Sequence, residues 1–274
     1  MSDLKSCQTF ADGSPALLAP DEPAPFEILN PEAPAAILLI CDHASRYIPR
    51  SLDNLGLDAA ALSRHIAWDI GIEEVTRRLS DHLQATAVLS RFSRLVIDPN
   101  RTLDSGDSIP VVSDNHSIPG NQDLTAEEVA RRVRDLFDPY HNAIESCLTR
   151  LTQTEKTPVI LSMHSFTPVM KSFERPWKIG ILWNRDPRLP VPLMEKLRAL
   201  GLPVGDNQPY SGRDRHGYTQ QRHADRHGRA NALIELRQDL IDTRKGAQAW
   251  ADLLAGVLEE VLQDPALFKA SSDH

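Results

Sequence analysis

The sequence predicts a mostly parallel α/β sandwich, and three observations carry that expectation. Residues 35–41 (Ala35-Ala36-Ile37-Leu38-Leu39-Ile40-Cys41) form a continuous apolar run of strand length. A strand without polar alternation is covered on both faces, as in a parallel sheet between helix layers. Further runs of this kind alternate with segments of helical periodicity along the chain, which is the pattern of strand–helix–strand units. Hydrophobic residues make up 41% and charged residues 25% of the 274 residues, an ordinary globular composition that can fill one substantial core. One domain over residues 26–274 is expected. Residues 1–25 mix Ser, Asp, Pro and Ala without a period and read as a tail or a surface wrap.

Each element follows from local pattern. The first strand ends at Asp42-His43. Over residues 58–83 apolar residues recur at helical spacing (Ala61, Leu62, Ile66, Ile72, Val75, Leu79, Leu83), and Trp68-Asp69-Ile70-Gly71 interrupts them. A short helix, a break at Asp69 and a longer helix with Glu73-Glu74 in its first turn are expected, since acids suit a helix N-terminus. Residues 85–90 and 94–98 are strand candidates, the second stopped by Pro99. Residues 102–123, rich in Gly, Pro, Asn and Ser, form a long loop of the kind that is functional or mobile. Thr125 and Glu128 match a capping box at the head of a helix that runs to residue 154. Residues 157–163 are a strand ending at His164, and residues 177–183 are another. Residues 190–200 are a helix ending at Gly201, Val204 begins an edge strand, and residues 230–236 are the last strand. Residues 243–262 close the chain as an amphipathic helix with Leu253, Leu254, Val257, Leu258 and Val261 inward.

Composition also excludes functions. The formal net charge is −8, and basic pairs such as Arg131-Arg132 are interleaved with acids, so the concentrated positive charge that nucleic-acid binding needs is missing. No apolar run is long enough to cross a bilayer, and no basic segment followed by an apolar core opens the chain. A soluble cytoplasmic protein is expected, with a homo-oligomer left open. Cys7, Cys41 and Cys147 are odd in number and lack a C-x-x-C spacing, which indicates reduced thiols. Glycine-rich dinucleotide, P-loop and serine-elbow signatures are absent.

In an open α/β sheet the ligand crevice lies beyond the carboxyl ends of the strands. His43 follows one apolar strand directly, His164 follows another, and Glu235 lies near the end of a third. Parallel strands would bring these distant positions to one edge. Two imidazoles and one carboxylate, with Asp69 the carboxylate candidate, suffice to hold a catalytic zinc ion. A single histidine at a strand end is more often a hydrogen-bonded structural residue, and two of them with acids at chain breaks bring the metal-site reading level with that one. Glu235 stands inside an apolar strand and needs a partner. It is either half of a structural ion pair with Arg237 or Arg94, or a general base that takes a proton from water.

Arg91, Arg94, Arg101, Arg213, Arg215 and Arg222 flank polar loops. Most suit a solvated surface, yet an acidic substrate would meet one or two of them, because guanidinium groups grip carboxylates bidentately. His216, His223 and His227 cluster among Arg and Gly, which favours a polar loop that closes over a substrate above a ligand set. Cys41 shares a strand face with His43, but a thiol in mid-strand is poorly reachable and ranks last as a nucleophile.

Five segments in order resemble the N-formylglutamate amidohydrolase family: Cys41-Asp42-His43-Ala44-Ser45-Arg46-Tyr47-Ile48-Pro49, Trp68-Asp69-Ile70-Gly71, Arg94-Leu95-Val96-Ile97-Asp98-Pro99-Asn100-Arg101, Ser162-Met163-His164-Ser165-Phe166 and Ile234-Glu235-Leu236-Arg237. The resemblance covers residues 28–262. It implies a three-layer α/β/α sandwich with a mostly parallel mixed sheet, similar to zinc-dependent exopeptidases, and one divalent metal ion, with zinc expected. By the same resemblance His43, Asp69 and His164 correspond to the metal ligands and Glu235 to the acid that activates water. Arg94, Arg101 and Arg237 would face the substrate, with Asn100 supporting the loop. Ser45 stands where the family often has glycine, which marks a divergent branch whose machinery carries over better than its substrate. The implied activity is hydrolysis of an acidic N-formyl or N-acyl amino acid such as N-formylglutamate. The alternatives are another amide, of N-acyl amino acid or peptidoglycan type, or a noncatalytic binding protein on the same fold.

Overall fold

A computed structural model describes residues 16–153, 156–213 and 217–271. Its main sheet has seven strands: β1 Phe26–Leu29, β2 Ile37–Cys41, β3 Thr86–Ser90, β4 Val159–Phe166, β5 Ile179–Leu182, β6 Val204–Asp206 and β7 Asn231–Arg237. They lie in the order β1-β3-β2-β4-β7-β5-β6. The central four, β3, β2, β4 and β7, are mutually parallel, whereas β1 and the β5–β6 pair run the other way at the two edges. The main helices are α1 Ala59–Leu62, α2 Ile72–His82, α3 Ala126–Arg132, α4 Asp138–Leu151, α5 Pro190–Ala199, α6 Tyr218–His223 and α7 Arg244–Val261.

The unbroken apolar run of β2 is explained by helices on both faces. Ile37, Leu39 and Cys41 pack in the cluster that holds α2, α5 and α7 side chains, while Leu38 and Ile40 pack with Tyr140, Ile144 and Leu148 of α4. The result is the three-layer α/β/α sandwich. All five β2 residues are buried, and each fully buried aliphatic side chain contributes roughly 1.5–3 kcal/mol. A third cluster, with Leu17, Ile48, Phe92, Leu95, Val96, Ile97 and Phe137, collects the connecting segments. Leu17 belongs to it, and its backbone N–H donates to Asp135 at 2.7 Å, so this part of the N-terminal segment is packed. Residues 1–15 lie outside the described residues.

Several expectations need correction. Residues 94–98 form a turn and not a strand, with the Val96 N–H donating to the Ser93 carbonyl at 3.0 Å. Leu95, Val96 and Ile97 are apolar because they fill the third cluster, a burial that gives the same sequence signal as a strand. β4 continues through His164 to Phe166 because Ser165 and Phe166 pair with Leu236 and Arg237 of β7. The edge strand β1 was not anticipated, since four residues are too few for periodicity to register. The helix expected to span residues 125–154 begins with the predicted capping box. It is then broken by a π-turn at Val133–Phe137 before α4, just ahead of Pro139, which has no N–H to donate. Residues 102–123 form a loop that carries a short hairpin, Val112–Ser113 with His116–Ser117. The loop is anchored by buried Asn121, which donates to the Leu95 carbonyl at 2.8 Å and accepts from Arg132 at 2.6 Å. Among the described residues no helix is long and apolar enough to cross a membrane.

Candidate metal centre and active site

Topology gathers the site. β2 delivers Asp42 and His43 beyond its end, β4 delivers His164, and β7 sets Glu235 directly beside His164 in the parallel register. Asp69 arrives from the break before α2, held by its own N–H donating to the His43 carbonyl at 3.0 Å and by the Ser165 N–H donating to its Oδ2 at 3.2 Å. Gly71 makes this break possible. Its φ is +80°, and a Cβ there would overlap the Ile241 carbonyl.

His43, Asp69 and His164 are buried and offer ligand atoms that all lie within 4.8 Å of one another. The two imidazoles are used alike. His43 donates from Nε2 to Asp98 at 2.8 Å and turns Nδ1 toward Asp69 Oδ2 at 3.4 Å. His164 donates from Nε2 to Asp42 at 3.2 Å and from Nδ1 to Asp69 Oδ2 at 2.9 Å. Each ring therefore has a carboxylate behind it and its other nitrogen aimed at the shared Asp69 oxygen, the arrangement that orients metal-ligating histidines. Asp42 is held in turn by the hydroxyls of Tyr140 at 3.0 Å and Thr219 at 2.9 Å.

The electrostatics of this cluster call for positive charge. Burial alone would raise Asp42, Asp69 and Asp98, but the neighbouring His164, His43 and Arg94 charges override it and hold all three below the usual carboxylate range. Burial would likewise lower His164, yet its bonds to Asp42 and Asp69 drive it up to about 10. Glu235 moves the opposite way, because burial raises it to about 7 even though the charge of His164 pulls it down. Its Oε2 is buried and without a hydrogen-bond partner.

A cavity of about 190 Å³ opens over the triad and Glu235, with Arg94, Asn100 and Arg101 also in its wall. Arg94 is committed to the protein, donating to Asp98 Oδ2 at 2.9 Å and to Asp69 Oδ1 at 3.4 Å. Asn100 accepts from the Thr219 N–H at 3.1 Å and supports the loop. Arg101 donates to Asp107 at 2.7 Å and to the Asn100 carbonyl at 3.0 Å. Arg237 is not brought to the cavity: it pairs with Asp239 at 2.8 Å, because β7 ends there and its side chain leaves the sheet edge.

A family model for N-formylglutamate amidohydrolase matches residues 35–242, from β2 to the segment before α7. The chain belongs to the N-formylglutamate amidohydrolase family. It is therefore a hydrolase acting on carbon–nitrogen bonds other than peptide bonds. A solved gene product of Agrobacterium tumefaciens is 36% identical, with a TM-score of 0.87 over 90% of this chain and 98% of that one. The N-formylglutamate amidohydrolase of Ralstonia eutropha JMP134 is 21% identical, with a TM-score of 0.65 over 88% of this chain and 98% of that one, and it shares the fold. No curated protein matches the chain.

The donor set could hold a metal ion. His43 Nδ1 is buried without a hydrogen-bond partner, the proton that His164 holds on Nδ1 stands where a cation would replace it, and two more carboxylates back the rings. Family motifs had pointed to the triad and Glu235, but the backing roles of Asp42 and Asp98 were missed although both residues stood inside the quoted segments. A buried acid directly before a strand-end histidine is the signal that could have found Asp42. Of the later histidines, His223 is buried and hydrogen-bonded to His141 at 2.9 Å, His227 is exposed, and His216 lies outside the described residues. Their loop does reach the cavity, through Tyr210, Ser211, Gly212 and Gly217. Cys41 is fully buried and burial pushes its thiol well up, which removes it as a nucleophile.

Proposed function

We propose that this protein hydrolyses the amide bond of an acidic N-formyl or N-acyl amino acid, N-formylglutamate being the first substrate to test, with one divalent cation, zinc, held by His43, Asp69 and His164. The observation that carries the reading is Glu235 Oε2, a buried acceptor without a partner in the wall of the cavity that contains the triad. When bound, such a cation supplies Lewis acidity, polarising a carbonyl and acidifying water. Glu235 accepts a proton from the attacking water as the water oxygen bonds to the acyl carbon. The carbon–nitrogen bond then breaks and Glu235 returns that proton to the leaving nitrogen, so formylglutamate and water become formate and glutamate. A carboxyl raised to about 7 can both take and give a proton near neutral pH. Asp98 and Asp42 orient the two imidazoles, Arg94 ties Asp98 to Asp69, and Arg101 and Asn100 shape the substrate wall.

The test is release of formate and glutamate by the zinc- or cobalt-loaded protein, run beside a panel of other N-acyl amino acids, with Glu235→Gln as the comparison. Turnover by the wild type and a loss of about 10²–10⁴-fold in the variant are expected. Full activity of Glu235→Gln would remove the assigned base.

A further inference from the structure

Behind the cavity wall stands a charged side chain that the mechanism leaves unused. Arg175 is only 6% exposed, and among the described residues no carboxylate pairs with it. Its Nη1 donates to the Thr167 carbonyl at 3.2 Å and hydroxyl at 3.1 Å, and its Nη2 donates to the Tyr210 hydroxyl oxygen at 3.1 Å. Its guanidinium carbon lies 5.0 Å from the centre of the Tyr210 ring and 5.6 Å from that of Phe166. Phe166, Thr167 and Tyr210 all line the cavity over the triad. A buried cation without a counter-ion is costly, and here its charge points through three residues toward one small space.

Tyr210 is the outlet for that charge. Because an arginine only donates, the tyrosine oxygen serves as acceptor and its own proton is left for another partner. Burial and the charge of Glu235 raise the hydroxyl above its usual range, so the proton stays on. The chain is built to hold the ring there. β5 places Gly180 opposite Glu235, and a side chain at Gly180 or Gly205 would collide with the Gln208 carbonyl just before Tyr210. Arg94, by contrast, is spent on Asp69 and Asp98, and Arg237 is outside the cavity.

We infer that the Tyr210 hydroxyl, backed by Arg175, binds a carboxylate of the substrate, making this pair the determinant of acidic-substrate specificity. The inference rests on the proposed amidohydrolase reading. It also accounts for the missing counter-ion: the substrate carboxylate supplies the negative charge that the protein withholds from Arg175.

Tyr210→Phe deletes the donor and keeps the ring on the guanidinium. Steady-state kinetics of the metal-loaded enzyme with N-formylglutamate and with its uncharged diamide should show KM for the acid rising about ten- to a hundredfold, the range for one hydrogen bond to a charged group. In the variant kcat should stay within about threefold of wild type, since uniform binding is what is lost, and the diamide should be unaffected. Arg175→Gln should follow the same pattern. An unchanged KM for the acid, or equal losses for acid and diamide, would overturn the inference while leaving the amidohydrolase reading intact. If the wild type turns over neither compound, it is the amidohydrolase reading that fails. Calorimetric binding of glutarate then decides this inference alone: weaker binding to Tyr210→Phe supports it, and equal binding overturns it.

Discussion

Replacing Asp98 by Asn tests whether the carboxylates behind the histidines set the cation affinity. Asp98 accepts three hydrogen bonds, from His43 Nε2 at 2.8 Å, from the Asn100 N–H at 2.8 Å and from Arg94 Nη2 at 2.9 Å. An amide of the same shape can keep the first two through its oxygen, but its NH₂ then faces the Arg94 donor. One charge-assisted bond is lost, about 1.5–3 kcal/mol of folding stability, and Arg94 is left with its 3.4 Å contact to Asp69. The larger functional effect acts through His43, whose Nδ1 loses the basicity that a carboxylate on Nε2 confers. Such changes typically weaken metal binding 10–100-fold, about 1.4–2.7 kcal/mol. Zinc affinity measured by competition with a chromophoric chelator should fall by that factor. The extra stability that a fixed free-zinc concentration confers in a urea melt should shrink by the same free energy. Asp107→Asn, which alters a carboxylate bonded to Arg101 and Ser105, should leave the affinity alone. A folded Asp98→Asn protein with wild-type zinc affinity would refute the orienting role.

Three further outcomes follow from the same chemistry. Without metal, Glu235 has a folded pKa of about 7 against an ordinary 4.5. The folded state therefore binds the extra proton between those values, and stability falls as pH rises through them. The metal-free Glu235→Gln protein should be more stable than wild type by about 2–3 kcal/mol at pH 8 and equal to it near pH 4.5 in urea melts; no difference at pH 8 would contradict the burial argument. His141 is depressed by burial to about 4 and His223 is depressed as well, so here the unfolded state binds the extra protons and stability is lost as pH falls below about 6.5. In the Glu235→Gln background only the raised His164 opposes the loss, by about 1 kcal/mol, while each of the two depressed imidazoles contributes about 2 kcal/mol, so unfolding free energy should drop by about 3–4 kcal/mol between pH 7 and pH 4.5. A flat profile would mean that the pair is not buried as neutral imidazoles. Gly71→Ala should cost at least about 2 kcal/mol through its positive φ and the overlap with Ile241; a loss in denaturant melts below about 1 kcal/mol would show that the break before α2 can shift.

Much of the architecture was legible from local pattern. A fully covered strand cannot alternate, so β2 announced a two-faced sheet, and Thr125 with Glu128 announced a helix start because a capping box needs only four adjacent residues. The same logic misled at residues 94–98, since apolar side chains filling a small cluster read the same as those in a sheet. His43, His164 and Glu235 could be singled out because each sits at or near the end of an apolar run. Asp69 stood out as a carboxylate candidate because it lies where the helical period of residues 58–83 is interrupted, and the motif resemblance then assigned it as a ligand.

What lay beyond the sequence is the allocation of charge. Arg94, Arg101 and Arg237 are alike as residues, yet one ties Asp69 to Asp98, one lines the cavity and one pairs with Asp239 outside it. Arg175 and Tyr210, 35 residues apart, drew no notice until the chain crossing over β5 set one against the other. By itself the sequence determined which layers form and which strand ends carry the reactive side chains, because hydrophobic period and strand direction are properties of neighbouring residues. Only the tertiary structure decided which carboxylate neutralises which cation, because that depends on distances of a few ångströms between segments far apart in the chain, in an interior where an unmatched charge is expensive.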